Sequence, residues 1–457
     1  MTGFQKIEKE IAEKYQPKKN DGIRTAKLFS YLKESDLLAP PPEIQEILDK
    51  KKAELCSDGQ AGGLSAYRAS LIVKEFSADL EAPGWVNPSK VRPVSHLRRL
   101  FGCGTYLEFS HGKNGRALDF ANFCHDRFCS CCNWRRSLKV YSQIKSVMAN
   151  LEPEKYNYLF LTLTQKNCGA ADLTELKQEC DRLFAGWRWL YRNSPLFHKT
   201  RKRDRIVCGT IRSFEITYNG DNNTFHPHFH VILAVPRDYF DIYKDYYTTA
   251  AEWAEEWACA LDLNYLPNVD VRRLRPDQSS DGVTYNKAVA EISKYATKIT
   301  DVLRYNKKQG ASILAALAYA LRGRRLLALT GCFRDAFQAL KEDDSEADDA
   351  DLIHMDNDDL SAEKEEDIHY AVFGWEHRDN YEGYIQSENK SGLLRISERL
   401  SRLIHNGVNY FGNYAPVRDE IRDKLKSKLD HVHRMLGLSP ASPAVRRQTV
   451  AAVPLRL

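Results

Sequence analysis

Read as a pattern of apolar and polar positions, the chain changes period several times. Tyr156 to Thr164 is rich in aromatic and β-branched residues and predicts a strand. Asp172 followed by Glu175 predicts a helix cap for the amphipathic run that reaches Tyr191. Ile206 to Tyr218 and His226 to Val235 read as two further strands, with Gly-Asp-Asn-Asn at 220–223 as a hairpin turn between them. A helix over Tyr239 to Leu261, a short strand over Val269 to Leu274 and a helix over Tyr285 to Tyr305 follow. This alternation predicts an α+β fold: an antiparallel sheet of about five strands with flanking helices, the His-bearing strand central. Residues 1–95 read as a mostly helical accessory region broken at Pro40 to Pro42 and at Ala82-Pro83-Gly84.

Composition narrows the function classes. The 457 residues are long enough for two or three domains, and 43% hydrophobic content supports a sizeable core. The longest apolar run, Ser312 to Leu321, is cut off by Arg322, Arg324 and Arg325, short of the roughly 20 residues a bilayer requires. The first 20 residues are densely charged, unlike a secretion signal, so a cytoplasmic protein with no membrane partner is expected. The formal charge of +5 conceals an uneven distribution. Glu342 to Asp367 holds 14 acidic residues against one lysine, so everything outside that stretch carries +18. The acidic stretch cannot bury a core and reads as a linker. The basic remainder favours a polyanionic partner such as DNA.

The segment His226-Pro227-His228-Phe229-His230-Val231-Ile232-Leu233-Ala234-Val235 carries the most chemistry. On a strand, His228 and His230 share one face, while Phe229, Val231, Leu233 and Val235 form an apolar face opposite. A two-residue turn at Asp221-Asn222 pairs Glu215 with His228, and a shift of one residue pairs it with His230. Either register keeps the carboxylate on the histidine face. Two histidines and a carboxylate with open positions suit Mg²⁺ or Mn²⁺ acting on a phosphate. His226 lies on the same face and is a weaker ligand candidate.

In the predicted helix around Ala288 to Ile299, Val289, Ile292, Ala296 and Ile299 form an apolar stripe. Glu291, Tyr295 and Lys298 stack on a neighbouring face. A tyrosine can attack a phosphodiester and become covalently linked to it. Lys298 would favour the phenolate, and Glu291 is placed as general base for a second nucleophile.

Eleven cysteines in a chain without export signals point away from disulfides. Cys124, Cys129 and Cys132, with Cys103 upstream, suit a structural zinc site. Cys131 and His125 compete as ligands. A second basic cluster, Lys199 to Arg205, places Lys202 and Arg203 before the second long strand as candidate DNA contacts.

The order Phe160-Leu-Thr-Leu-Thr164, His226-Pro-His-Phe-His230, then Glu291-Ile-Ser-Lys-Tyr-Ala-Thr-Lys298 resembles the three motifs of the HUH endonucleases. More narrowly, it resembles plasmid rolling-circle initiators with a Cys-rich segment before the first motif. The resemblance spans roughly 96–340. It implies an RRM-like sheet, with His228 and His230 as the metal pair, Glu215 as a third ligand and Tyr295 as nicking nucleophile. Glu291, one turn before the tyrosine, matches the single-tyrosine branch in which a carboxylate activates water to end the cycle. The family pattern Cys-x-x-Arg-x-Cys-x-x-Cys matches Cys124, Arg127, Cys129 and Cys132, and favours Zn²⁺ in a module whose Arg127, Arg135, Arg136 and Lys139 meet DNA phosphates. Implied partners are origin DNA, single-stranded or cruciform at the nick, with host helicase and polymerase. The implied division is 1–95 accessory, 96–150 zinc module, 151–340 nicking domain, 341–368 acidic linker and 369–457 C-terminal accessory region. A transposase or relaxase of the same superfamily, and a non-catalytic zinc-stabilised DNA-binding repressor, stay open as rivals.

Overall fold

The computed structural model describes residues 18–32, 36–56, pieces of 69–91, 95–112, 115–152, 154–198, 206–241, 246–276, 283–294, 299–343, 369–378, 381–391 and 419–436, with isolated residues between these stretches. The chain divides into two compact units. One is 17–103 with 123–355; the other gathers 1–16, 104–122 and 356–457.

The larger unit holds helices α1 (18–32), α2 (Pro42–Cys56), α3 (Ser95–Gly102) and α4 (Ser130–Ala149). Its sheet is built from β3 (Tyr156–Leu163), β4 (Cys168–Gly169), β5 (Gly209–Asn219), β6 (Thr224–Pro236), β7 (Val269–Arg275), β8 (Val283–Thr284) and β9 (Leu327–Gly331). The order is β8-β7-β3-β6-β5-β9, with β4 on the end of β6. Only the β7–β8 pair is parallel. The expected sheet of about five strands is therefore present as five long strands extended by two of two residues each, and the His-bearing β6 lies at its centre.

Helices cover both faces of β6, which explains why its apolar run is continuous rather than alternating. Phe229, Val231 and Leu233 face α5 (Glu175–Asn193) and α6 (Ala250–Leu261), where Phe184 lies 5.2 Å from Phe229 between ring centroids and Trp257 lies 6.4 Å away. Ile232 and Ala234, beyond the histidines on the other face, join a core with Ile144 and Val147 of α4, Val289 and Ile292 of α7 (Tyr285–Ile292), and Phe333, which follows β9. A buried aromatic such as Phe229, fully enclosed here, contributes about 3–5 kcal/mol against truncation to alanine.

Three helices differ from the sequence expectation. α6 begins at Ala250, not Tyr239. Thr249 and Glu252 form a reciprocal capping box that fixes its start, and the Tyr239 hydroxyl accepts from the Thr248 amide in the loop before it. α5 starts at Glu175 with Thr174, not Asp172, at its N-cap and no side chain capping it. Asp172 instead accepts from the Thr174 amide and hydroxyl at 2.7 Å, and Glu175 reaches back to the Gly169 amide at 3.0 Å. The run from Tyr285 to Tyr305 is not one helix. It breaks after Ile292 and resumes as the short α8 (Ile299–Val302).

Beyond it come α9 (Lys307–Ala320), whose apolar stretch is buried in the protein, β9, and α10 (Cys332–Asp343). Gly331, at φ +56°, makes the turn between the last two; a Cβ there would sit 2.0 Å from the Cys208 carbonyl oxygen.

The smaller unit is a four-stranded antiparallel sheet. β1 (Tyr106–Gly112) and β2 (Gly115–Ala121) form a hairpin, and β1 pairs with β10 (His369–Arg378), which pairs with β11 (Tyr381–Ser391). α11 (Asp419–Met435) follows. The expected division at 96–150 thus runs differently in the structure: the segment that looked like one Cys-rich module contributes its middle, 104–122, to a sheet completed more than 240 residues later. Almost all of the acidic stretch, 344–368, lies outside the described residues.

Candidate metal centre and its surroundings

The β5–β6 hairpin fixes the first candidate site. Asn219 pairs with Thr224 across the turn, and the register carried down the ladder places Glu215 opposite His228 and Ser213 opposite His230. This is the register of a two-residue turn centred on Asp221-Asn222. Because side chains alternate, Glu215, His228 and His230 project from the same face.

Their polar atoms converge. His228 Nε2 lies 3.2 Å from His230 Nε2, and Glu215 Oε2 lies 3.7 Å and 3.4 Å from them. The other ring nitrogens are occupied. His228 Nδ1 lies 3.0 Å from the His226 carbonyl oxygen and must donate to it, which leaves Nε2 with its lone pair facing inward. His230 Nδ1 meets the Thr162 hydroxyl at 3.2 Å, and its ring stacks on Phe160. Two imidazole nitrogens aimed at each other beside a buried carboxylate form an electron-rich focus that a cation neutralises. Glu215 is 7% exposed; burial alone would raise its pKa, but the His228 and His230 imidazoles beside it hold it well below the usual carboxylate range. The three residues make a group able to hold a metal ion. His226 stands apart from it, its Nδ1 bonded to Asn167 at 2.7 Å. Thr162 and Asn167 escaped sequence reading, since only the pairing of β3 and β4 with β6 brings them to the histidines.

α7 packs against the same sheet. Glu291 is half-buried near its C-terminus, with Oε2 2.5 Å from Lys294 Nζ. The Ser293 hydroxyl donates to the Val289 carbonyl at 2.6 Å and Ser293 caps the helix, so the ladder ends there. The expected stack of Glu291, Tyr295 and Lys298 on one continuous helix is replaced by this break, and Tyr295 and Lys298 themselves lie outside the described residues.

The second candidate group is sulfur-only. Cys103, Cys124, Cys129 and Cys132 bring their Sγ atoms within 4.8 Å of one another. Cys103 Sγ is 3.5 Å from both Cys132 and Cys129, and Cys124 is 3.7 Å from Cys132. All four are at most 6% exposed. The irregular first half of the motif is accommodated by His125 at φ +55° and by Asp126, whose carboxylate accepts from the Phe128 amide at 2.8 Å. His125 and Cys131, the competing ligands, are not in the group. Hydrogen bonds from its neighbours hold the Cys124 thiol far below its ordinary pKa, while Cys103 and Cys132 are pushed up. Lys19 of α1, 4% exposed, lies nearby with its ammonium on the Phe101 carbonyl; burial lowers its pKa, and the thiols oppose that shift.

The arginines around this module differ in what they offer. Arg135 is 3% exposed with its guanidinium over the Phe123 ring, so its charge is not on the surface. Arg127 bonds the Leu321 carbonyl at 2.5 Å, and Arg136 bonds Asn133 Oδ1 at 2.7 Å and the His125 carbonyl at 3.2 Å. Lys139 is half-buried on α4. Lys202 and Arg203 lie outside the described residues. No described helix is long and apolar enough to cross a membrane.

Among proteins of known family, the replication protein family matches residues 115–385, more than half of the chain. A protein named Protein rep from Lactiplantibacillus plantarum is 34% identical over 327 residues, which cover 68% of this chain and 99% of the relative. Proteins of the same name from a Bacillus species and from Bacillus amyloliquefaciens are each 34% identical, over 56% and 58% of this chain and 84% and 78% of their own lengths. No solved structure matches. The matched span takes in the β5–β6 hairpin, α7 and three of the four clustered cysteines, and the chain belongs to the replication protein family.

Proposed function

We propose that this chain initiates rolling-circle replication of a plasmid by nicking one strand of its origin. The observation that carries the reading is the convergence of His228 Nε2, His230 Nε2 and Glu215 Oε2 on one point of a sheet face, in a member of a replication protein family. In the sequence Tyr295 comes three residues after the end of α7, a helix packed against the same sheet.

In this reading Tyr295 loses its phenolic proton to solvent and its oxygen attacks the scissile phosphorus. The new O–P bond forms as the P–O3′ bond breaks, and the leaving oxygen takes up a proton to become a free 3′-OH that a host polymerase extends after a helicase opens the duplex. Mg²⁺ or Mn²⁺ held by His228, His230 and Glu215 would supply Lewis acidity at the scissile phosphate. Lys298 favours the phenolate. Glu291 takes a proton from the water that later releases the phosphotyrosine, so termination is hydrolytic. Zn²⁺ suits the four buried thiols, whose number and softness match a closed structural site.

The test is nicking of supercoiled plasmid from the chain's own replicon, with Mg²⁺ or Mn²⁺, in wild type, Tyr295→Phe and Glu291→Ala. A covalent protein–DNA adduct lost in Tyr295→Phe and retained in Glu291→Ala is the expected result. DNA binding without any wild-type adduct would overturn the reading in favour of a repressor; excision and joining of ends would favour a transposase.

A further inference from the structure

Beside the metal group the larger unit contains a cavity of about 340 Å³ that the proposed chemistry does not use. Its lining includes Arg127 and Arg136 from the cysteine module, Ser213 from β5, Ser293 and Lys294 from the end of α7, and Arg324 from the turn after α9. Ser213 pairs with His230 and lies two residues from Glu215 on the same face, about 7 Å along the strand. Glu215, His228 and His230 do not line the cavity, which reaches their strand pair only through Ser213. The α7 end in its lining is followed in the sequence by Tyr295.

The cations in it are not equivalent. Lys294 is paired with Glu291, and Arg324 with Asp181 at 2.7 Å. Arg127 and Arg136 bond only carbonyl and amide oxygens; among the described residues neither meets a carboxylate. Burial and the charge of Arg136 both lower the pKa of Arg127. Two like charges held together in a concave site without an acid store repulsion that a bound anion relieves. The volume is at the small end of the roughly 300–1,000 Å³ typical of ligand pockets, enough for one nucleotide and too small for a duplex.

We infer that this cavity seats one nucleotide of the single strand flanking the scissile phosphate, with its phosphate on Arg127 and Arg136. The cysteine module is then a wall of the nicking site, not a separate DNA-binding finger. The inference rests on the nicking reading for the identity of the strand, but its binding test is independent of cleavage.

The test uses full-length Tyr295→Phe protein, which keeps a strand uncut, alone and combined with Arg136→Ala or Arg136→Lys. Affinity for labelled oligothymidylate is measured by fluorescence anisotropy against salt. Arg136→Ala should weaken binding about tenfold, as loss of a charge-assisted hydrogen bond does. The slope of log affinity on log salt should become shallower by about 0.7, the value of one single-strand phosphate. Arg136→Lys should keep the slope, and its melting temperature should show that the fold survives. On a strand spanning the mapped nick, neutral methylphosphonate linkages are then placed one at a time. One position next to the nick should reproduce the tenfold loss and add nothing to it in Arg136→Ala. Unchanged oligothymidylate binding and slope in a folded Arg136→Ala, or losses that add at every position, would overturn the inference. If wild type forms no covalent adduct while the slope change is present, the nicking reading falls and the cavity stands as a phosphate site; an adduct with no slope change gives the converse.

Discussion

The two groups able to hold a metal ion are built on opposite principles. The cysteine group draws four ligands from the turn after α3, a loop and the start of α4, all sealed from solvent, with Lys19 buried alongside. The Glu215–His228–His230 group draws three ligands from two adjacent strands, and the His230 side chain retains 13% of its exposure. Four soft ligands fill a tetrahedral cation and leave it nothing to do but brace the fold; three harder ones leave positions for water or a phosphate oxygen. A cation in the closed group would brace the fold around it, whereas the open group's ligands are held by a hydrogen-bonded sheet.

That contrast can be broken at several points. The largest effect should come from Cys132→Ser or from zinc chelation, which should destabilise the larger unit by about 4 kcal/mol or more in chemical denaturation. His228→Ala should reduce nicking by about 10²- to 10⁴-fold, the equivalent of several kcal/mol of lost Lewis-acid stabilisation, while leaving the denaturation midpoint nearly unchanged. Equal loss of stability in both variants would erase the distinction. Thr162→Val, which removes the hydroxyl on His230 Nδ1, should weaken Mn²⁺ affinity by about 10- to 100-fold in a titration followed by electron paramagnetic resonance. The subtlest readout is protons. Raised thiol pKa values mean that Cys103 and Cys132 carry protons when metal-free, whereas Cys124 does not. Zinc must expel those protons, so its affinity should rise with pH, and calorimetry in buffers of different ionisation enthalpy should register release of about two from Cys103 and Cys132. Release near zero would show the thiols already ionised.

How much of this was legible depended on sequence distance. The β5–β6 register follows from a local turn and from alternation, so Glu215, His228 and His230 could be placed on one face from the sequence alone. The set Cys103, Cys124, Cys129 and Cys132 was readable from spacing and the family pattern; excluding Cys131 and His125 as competitors took the structure, because the left-handed residue at His125 is not encoded by spacing. The break after α7 was invisible because Ser293 and Lys294 fit an amphipathic stripe; the competing hydroxyl bond to Val289 decides it. The β1–β2 hairpin did carry a signal, Gly112 and Gly115 around Lys113-Asn114 between alternating apolar residues, but the cysteines on either side drew the segment into one module. Its partner β10 lies too far along the chain for any local pattern to reveal.

That distance has a temporal side. During synthesis β1 and β2 leave the ribosome long before β10 exists, and about 250 residues at about 5–20 residues per second amount to some tens of seconds. Throughout that interval the β1 edge that β10 will cover presents unpaired amide and carbonyl groups, the kind of edge that recruits other strands. The nascent chain therefore has a window of vulnerability set by translation speed, and slowing elongation between codons 122 and 369 should lengthen it.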